Sequence, residues 1–266
     1  MIHYHGGRHS TQSIAVAIWK GRHALISHAD PQQLPIAAEV SQSFVLDNGA
    51  FSVWTQGETP DWPAYYAWVD EWRRHPGFDW ALIPDVIDGN EDQNDALVAD
   101  WPFRFSGVPV WHMHESIERF YRLCGSWPRV AIGSSGDWAT PGTSRWWQRM
   151  AEALDAICPG GQPLCKLHGL RMLSPRILPF IPFASADSAC VSRSIGTSNW
   201  GGCFREASGE VKAAVLTSRI EAYQSANVWA GLEGQGDLFG EVPELLRERH
   251  SLPATVCNGL QHGATV

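Results

Sequence analysis

Acidic and imidazole side chains recur at one kind of place in this chain, directly after a short apolar run. Phe44-Val45-Leu46 ends at Asp47-Asn48-Gly49, Trp80-Ala81-Leu82-Ile83 at Pro84-Asp85, and Val108-Pro109-Val110-Trp111 at His112-Met113-His114. Arg129-Val130-Ala131-Ile132 ends at Gly133-Ser134-Ser135-Gly136, Leu164-Cys165-Lys166-Leu167 at His168-Gly169, and Phe183-Ala184-Ser185-Ala186 at Asp187-Ser188. A lone Asp after a strand commonly serves as a helix cap or turn residue. Three of them at three strand ends are harder to assign to capping, and the small apolar neighbours of Asp187 leave its carboxylate partly desolvated. Two carboxylates in one pocket permit chemistry at a glycosidic carbon: one attacks the carbon while the other moves the proton on the departing or entering group. Asp47 and Asp187 are the candidate pair.

The elements that must position these residues follow a βα rhythm. With Ile2-His3-Tyr4 and Ala24-Leu25-Ile26 as the first two, the strand count reaches eight, and helices are expected over 62–74, 92–101, 116–124, 144–157 and near 210–229. Asp61 and Thr143-Ser144 suit helix N-caps, and Pro63 suits a first turn. Eight alternating units in 266 residues predict an α/β fold of the (β/α)8, TIM-barrel type as a single domain, an open doubly wound sheet being the other arrangement. The barrel is expected to span residues 1–230, and 231–266, where the rhythm is lost, to form a loosely packed C-terminal tail. In a barrel, strand C-termini converge on one mouth, which would gather Asp47, Asp85, His112, His114, Ser134, His168 and Asp187.

Composition narrows the function classes. Hydrophobic residues at 44%, with 14 Trp and 10 Phe, exclude a disordered chain. A net charge of −8 denies the molecule a whole-surface grip on polyanions, so any nucleic-acid binding must use a local basic face. No apolar run approaches the roughly 20 residues that cross a bilayer. The N-terminus lacks a signal-peptide layout, and the six cysteines form no framework, so they are expected to be reduced cytoplasmic thiols.

Several segments together carry a resemblance. Leu46-Asp47-Asn48-Gly49-Ala50-Phe51 resembles the Asp-Ser-Gly-Gly-Tyr/Phe segment of the tRNA-guanine transglycosylase superfamily, barrels that exchange guanine for a 7-deazaguanine base. Ile83-Pro84-Asp85 resembles that family's strand ending in a base-reading Asp, Ala131-Ile132-Gly133-Ser134 its Gly-Gly segment, and Lys166-Leu167-His168-Gly169 its Leu-Met-Gly segment. Phe183-Ala184-Ser185-Ala186-Asp187-Ser188 sits where the family has Met-Phe-Asp-Cys with the nucleophile. The matches are collinear over roughly residues 44 to 190.

The resemblance implies that Asp187 is the nucleophile at the sugar C1′, forming a covalent glycosyl-enzyme, and that Asp47 is the general acid/base. It also implies that Asp85 reads the N1–H and exocyclic amine of the base, that Phe51 and His168 sandwich it, and that Gly133 and Ser134 meet the 7-substituent. The family's base-binding Gln is replaced around Trp111-His112, and its second Gly by Ser134. Its zinc motif is missing, since beyond Asp187 only Cys190, Cys203 and Cys257 remain; neither zinc nor another cofactor is implied.

A compact chain without the zinc motif is most similar to the DNA-acting, 7-deazaguanine DNA transglycosylase branch, many of whose members are viral. The implied partners are DNA, with the target guanosine flipped into the pocket, and a 7-deazaguanine such as preQ0 or preQ1. The implied location is the cytoplasm, that of the host for a viral protein. Trp54, Trp111, Trp138 and Trp200 are candidate stacking residues, and Arg145, Arg149, Arg171, Arg176, Arg193 and Arg205 candidate phosphate contacts, Arg145, Arg171, Arg193 and Arg205 foremost. Three other readings stay open. One is a transglycosylase acting on tRNA. Another is a metal-dependent amidohydrolase-type barrel using His3, His5, His112, His168 and Asp187. The third is a base- or partner-binding barrel without turnover.

Overall fold

The computed structural model describes residues 1–195 and 207–231 of the chain; the expected tail over 231–266, from residue 232 on, lies outside the described residues, as do Arg205 and Trp200. The chain runs β1 (Ile2–His5), α1 (Gln12–Trp19), β2 (His23–Ser27), α2 (Leu34–Val40), β3 (Ser43–Asp47), α3 (Ala50–Thr55), α4 (Trp62–Trp72), β4 (Phe78–Leu82) and α5 (Glu91–Ala99). It continues through β5 (Gly107–Val108), β6 (Val110–His112), α6 (Ile117–Ser126), β7 (Arg129–Gly133), α7 (Ser144–Ile157), β8 (Lys166–Gly169), β9 (Ser185–Ser188), α8 (Cys190–Ser194) and α9 (Gly209–Glu221).

All ladders are parallel, in the order β5-β4-β3-β2-β1-β9-β8-β7-β6. The two ends of that order, β5 and β6, are consecutive in the chain and separated only by Pro109, which has no N–H to give a ladder. Its carbonyl still accepts from Ala131 N at 2.9 Å. Counting β5 and β6 as one interrupted strand, the nine segments make eight staves of a single-domain TIM-type barrel, as the βα rhythm predicts.

Side-chain alternation sorts the core into two layers. Tyr4, Leu25, Val45, Trp80, Leu82, Val108, Val110 and Ala131 fill the barrel interior. Their neighbours along the strands, such as Phe44, Leu46, Ala81, Trp111, Ile132, Leu167 and Ala186, face the helices. The interior is polar at its lower end, where the Tyr4 hydroxyl donates to Asp79 and Arg129 lies 5.3 Å from the Trp80 ring.

Helix starts follow local chemistry. Asp61 accepts from Ala64 N at 3.0 Å and Thr143 from Trp146 N at 3.3 Å, the two caps expected from the sequence. Asn90 and Gln93 form a reciprocal capping box at the start of α5. One expectation is corrected. The closing helix stops at Glu221 rather than near 229, because the following backbone bonds elsewhere: Ala226 N to Leu178 O at 3.0 Å and Trp229 N to Gly161 O at 2.8 Å. The connection from β8 to β9 has no α-helix. It is an irregular segment that covers its side of the barrel with buried Met172, Leu173, Ile177, Leu178, Ile181 and Phe183.

Trp111 shows how alternation decides a role. Two inward positions, Val110 and His112, flank it, so it points into the helix layer, stacks on Phe120 at 4.4 Å and donates from its indole to Ser116 O at 3.0 Å. The structure thus removes it from the residues that can touch a ligand at the mouth. Trp111→Ala is expected to cost about 3–5 kcal/mol of stability through the cavity it leaves. Trp111→Phe should recover most of that and leave ligand affinity unchanged. Denaturant unfolding and ligand titration check this, and a ligand-affinity loss in a stably folded Trp111→Phe would return Trp111 to the site.

Candidate active site

Asp47 ends β3 and faces inward beside Ser27 of β2, its partner in register. Its place is set by a tight Asp47-Asn48-Gly49 turn. The Asn48 side chain accepts from Ala50 N at 2.9 Å, and Gly49 N donates to Asp47 Oδ2 at 3.2 Å. Gly49 adopts φ 78°, and a Cβ there would fall 2.9 Å from Ala29 N, so this turn requires glycine. Asp47 keeps a partial opening to solvent but is otherwise ringed by protein. Burial, offset by a Ser27 hydrogen bond and reinforced by the charges of Asp187 and Asp85, raises its pKa to about 6. Two acidic groups far apart in sequence are therefore near enough to act on Asp47.

Asp187 sits on β9, only 6% exposed, level with Tyr4 of β1. Its Oδ1 accepts from Arg171 N at 2.9 Å and lies 3.3 Å from His168 Nε2; Oδ2 carries no hydrogen bond among the described residues. A chain of polar contacts stands behind it. Arg129 donates to Ser185 Oγ at 2.7 Å, and that hydroxyl lies 2.9 Å from His168 Nδ1. With Ser185 donating its only hydrogen to Nδ1, the neutral ring carries hydrogen on Nε2, facing Asp187. Burial lowers the pKa of His168, against the hydrogen bond and charge of Asp187, which raise it.

His168 is fully buried and packs edge-on to Trp80 at 4.8 Å and Tyr4 at 5.9 Å. It is thus part of the floor beneath Asp187, without an exposed face to sandwich a base, which corrects the role that the resemblance implies for it.

Asp85 follows β4 and is held on both oxygens. Asn48 Nδ2 donates to Oδ1 at 2.6 Å, and His112 Nε2 lies 2.8 Å from Oδ2. A carboxylate has about four lone-pair sites, so two remain for a donor pair on a ligand. His112 itself is set by Glu115, which accepts from His112 N at 2.9 Å and is locked to Arg119 at 2.6 Å and Asn94 at 2.8 Å. Gly133 lies close under the His112 ring, where a Cβ would come within 3.1 Å of Nδ1. The Ser134 hydroxyl is turned to the helix layer, accepting from the Trp146 indole at 2.9 Å. His114 is bonded to Ser135 and to Gly89 O.

The rim is aromatic and cationic. Arg171 places its guanidinium 3.9 Å from the centroid of Phe51, whose ring lies 5.9 Å from that of Trp54. Phe51 is 38% and Trp54 47% exposed. The charges of both Asp187 and Asp47 act on the Arg171 guanidinium. Arg171 is also the one non-glycine residue with positive φ, 57°, among the described residues, a conformation that costs energy and that turns its N–H onto Asp187. Nothing in the linear pattern announces that backbone.

Other expected residues are not brought here. Arg145 pairs with Asp137 and lies over Trp138; Arg149 is bonded to Met113 O and Glu115 O and also lies over Trp138. His3 and His5 point outward, to Tyr223 O at 2.7 Å and Glu221 at 3.1 Å. The barrel wall separates them from His112, His168 and Asp187, so the five-residue ligand set of the amidohydrolase reading does not assemble. Among the described residues, no helix is long and apolar enough to cross a membrane.

The fold and site define a (β/α)8 barrel with an acidic mouth: two inward carboxylates, a third that is rigidly clamped, and a stacked Arg–Phe rim. The sequence matches no protein-family model and no curated protein.

The raised pKa of Asp47 has a stability sign. Its folded-state value of about 6 lies above the ordinary 3.8, so the fold disfavours the ionised carboxylate. Stability is full below about pH 4 and falls, by about 3 kcal/mol at most, as pH rises through 6. Asp47→Asn is therefore expected to raise the unfolding free energy at pH 8 by roughly 1–3 kcal/mol and to change it little at pH 4. Denaturation at both pH values checks this; equal effects at the two would contradict a strained charge at Asp47.

Proposed function

We propose that this protein is a base-exchange glycosyltransferase that replaces guanine in DNA with a 7-deazaguanine derivative through a covalent aspartyl-glycosyl intermediate. The observation that carries this reading is the placement of Asp47 and Asp187 on the inward face at the C-terminal ends of β3 and β9, so that both carboxylates open on one mouth. The collinear resemblance to the tRNA-guanine transglycosylases assigns these two carboxylates the same division of labour.

In the first step, Oδ2 of Asp187 bonds to C1′ of a flipped deoxyguanosine as the C1′–N9 bond breaks, and the proton held by Asp47 passes to the departing guanine. A pKa of about 6 suits this exchange, because the group is neither a permanent acid nor a permanent base near neutral pH. In the second step, Asp47 takes the N9 proton of the incoming base, N9 bonds to C1′, and the ester to Asp187 breaks. The charge returning to Oδ1 meets the Arg171 N–H and His168 Nε2. No electrons are gained or lost overall, and the proton given in the first step is recovered in the second.

Asp85 supplies selectivity. A clamped carboxylate accepts from the N1–H and exocyclic amine that guanine and 7-deazaguanines share and adenine lacks. Phe51 provides the exposed face for stacking, and Arg171 the nearby positive charge. Duplex DNA, single-stranded DNA and tRNA, each offered with labelled guanine or a 7-deazaguanine such as preQ0 or preQ1 and followed by nucleoside analysis, test class and substrate together.

Exchange into DNA is expected with the native protein. Asp187→Asn should abolish it and the denaturation-resistant DNA adduct, Asp47→Asn should slow it about 10²–10⁴-fold, and Phe51→Ala should raise KM about ten- to a hundredfold. Full exchange by folded Asp187→Asn would end this reading.

A further inference from the structure

One sequence feature has no part in the mouth chemistry: Gly6-Gly7-Arg8-His9, directly after β1. Gly7 adopts φ 92°, and a Cβ on it would lie 2.3 Å from Ser192 Oγ and 3.0 Å from Ala189 Cβ. Only glycine lets this loop press against α8. The contact opens a cleft of about 310 Å³ beside it, lined by Arg8, His9, Ser10, Ser192 and Arg193, with Ile14 and Ile195 as apolar walls.

Three observations point to a ligand there. His9 is 3% exposed, and neither ring nitrogen has a hydrogen-bond partner among the described residues, although a buried imidazole ordinarily finds one. Among the described residues its one ring contact is the edge of Trp19 at 4.5 Å. Among the described residues the two arginines are under-committed as well. Arg8 reaches Asp30 only at 3.7 Å with its side chain 75% exposed, and Arg193 donates from Nε to Ala189 O at 3.4 Å. The cleft also lies at the same end of the barrel as the rim, since Arg8 follows β1 and Arg193 follows β9, the strands next to the β8 that precedes Arg171.

Two guanidinium groups, two hydroxyls and a buried imidazole in a cleft at the small end of ligand-site volumes suit a phosphate with its attached sugar. We propose that this cleft binds a phosphodiester of the substrate strand next to the flipped nucleotide, an assignment that rests on the DNA reading above. Arg8 and Arg193 grip the non-bridging oxygens, and His9 donates its single N–H. Burial, with His5 adding to it, lowers the His9 pKa to about 4, so the ring serves as a neutral donor. The site gives an acidic molecule a local hold on a polyanion.

The test uses the full chain carrying Arg8→Gln and Arg193→Gln together, both at exposed positions where folding tolerates change, with exposed Arg74→Gln just beyond α4 as control. Binding of a labelled single-stranded DNA oligonucleotide is followed against salt, and binding of inorganic phosphate separately. The double variant is expected to bind the oligonucleotide about tenfold more weakly at low salt and to lose about 1.4 from the slope of log K against log salt, two released counterions at about 0.7 each. Unchanged thermal stability and unchanged behaviour of Arg74→Gln complete the expected result.

Native affinity and slope in the double variant would overturn the proposal. So would loss of inorganic phosphate binding with oligonucleotide binding intact, which would assign the cleft to a free phosphate compound. His9→Gln, which keeps an N–H donor, should retain more affinity than His9→Ala; equal losses at equal stability would remove His9 from the site. Base exchange measured in parallel separates the two readings, because a strand bound through this cleft but never modified would refute the transferase while leaving the phosphate site standing.

Discussion

Everything in this molecule is arranged around the cost of keeping acidic groups together where water is scarce. Asp47, Asp85 and Asp187 converge on one barrel mouth, and like charges in a partly dry space repel strongly. The structure meets that cost differently for each carboxylate. Asp85 is clamped by Asn48 and His112, Asp187 is supported by a backbone N–H and approached by a buried imidazole, and Asp47, held by Ser27 and the Gly49 N–H, is raised by burial to about 6. Unequal surroundings are what distinguish a set of otherwise similar carboxylates.

Support for that division comes from well behind the mouth. Glu115 and Arg119, both fully enclosed, tie α6 to β6 and fix the backbone that carries His112. Below, Arg129, Ser185 and His168 form a line of contacts running up the barrel interior to Asp187. Each is a buried polar network with a defined geometry, and such networks set the orientation of a working group to a precision that an apolar core does not supply. The strained backbone of Arg171 belongs to the same economy of position, since an extended or helical residue there would aim its N–H elsewhere.

The overall charge of −8 and the arginines near the mouth are compatible because they act over different distances. At physiological ionic strength the screening length is about 8 Å, so acidic residues elsewhere on the surface weigh little against a guanidinium in contact with a phosphate. Arg171 on Phe51, and Arg8 and Arg193 around their cleft, follow the neighbouring strands β8, β1 and β9. A nucleic-acid strand lying across these residues would meet an aromatic face and positive charge together, the combination by which single-stranded nucleic acid is generally held.

What the linear chain determined by itself is the rhythm and the chemistry at its beats. Apolar runs ending in Asp47, Asp85, His112, His168 and Asp187 are local facts of composition, and parallel strands carry them to one end of a barrel whatever the details of packing. Asp61 and Thr143 likewise announce their helices, because a cap acts within three residues. The facing of Trp111 and Ser134, the outward turn of His3 and His5, the sinking of His168 into the floor and the left-handed Arg171 were decided only by the folded molecule. A strand tells which residues alternate but not which set faces inward, and that choice depends on partners from distant strands and helices. The same holds for the pKa of Asp47, which depends first on its burial and then on the charge of Asp187, both of which exist only once the ring of strands has brought β3 and β9 around one opening.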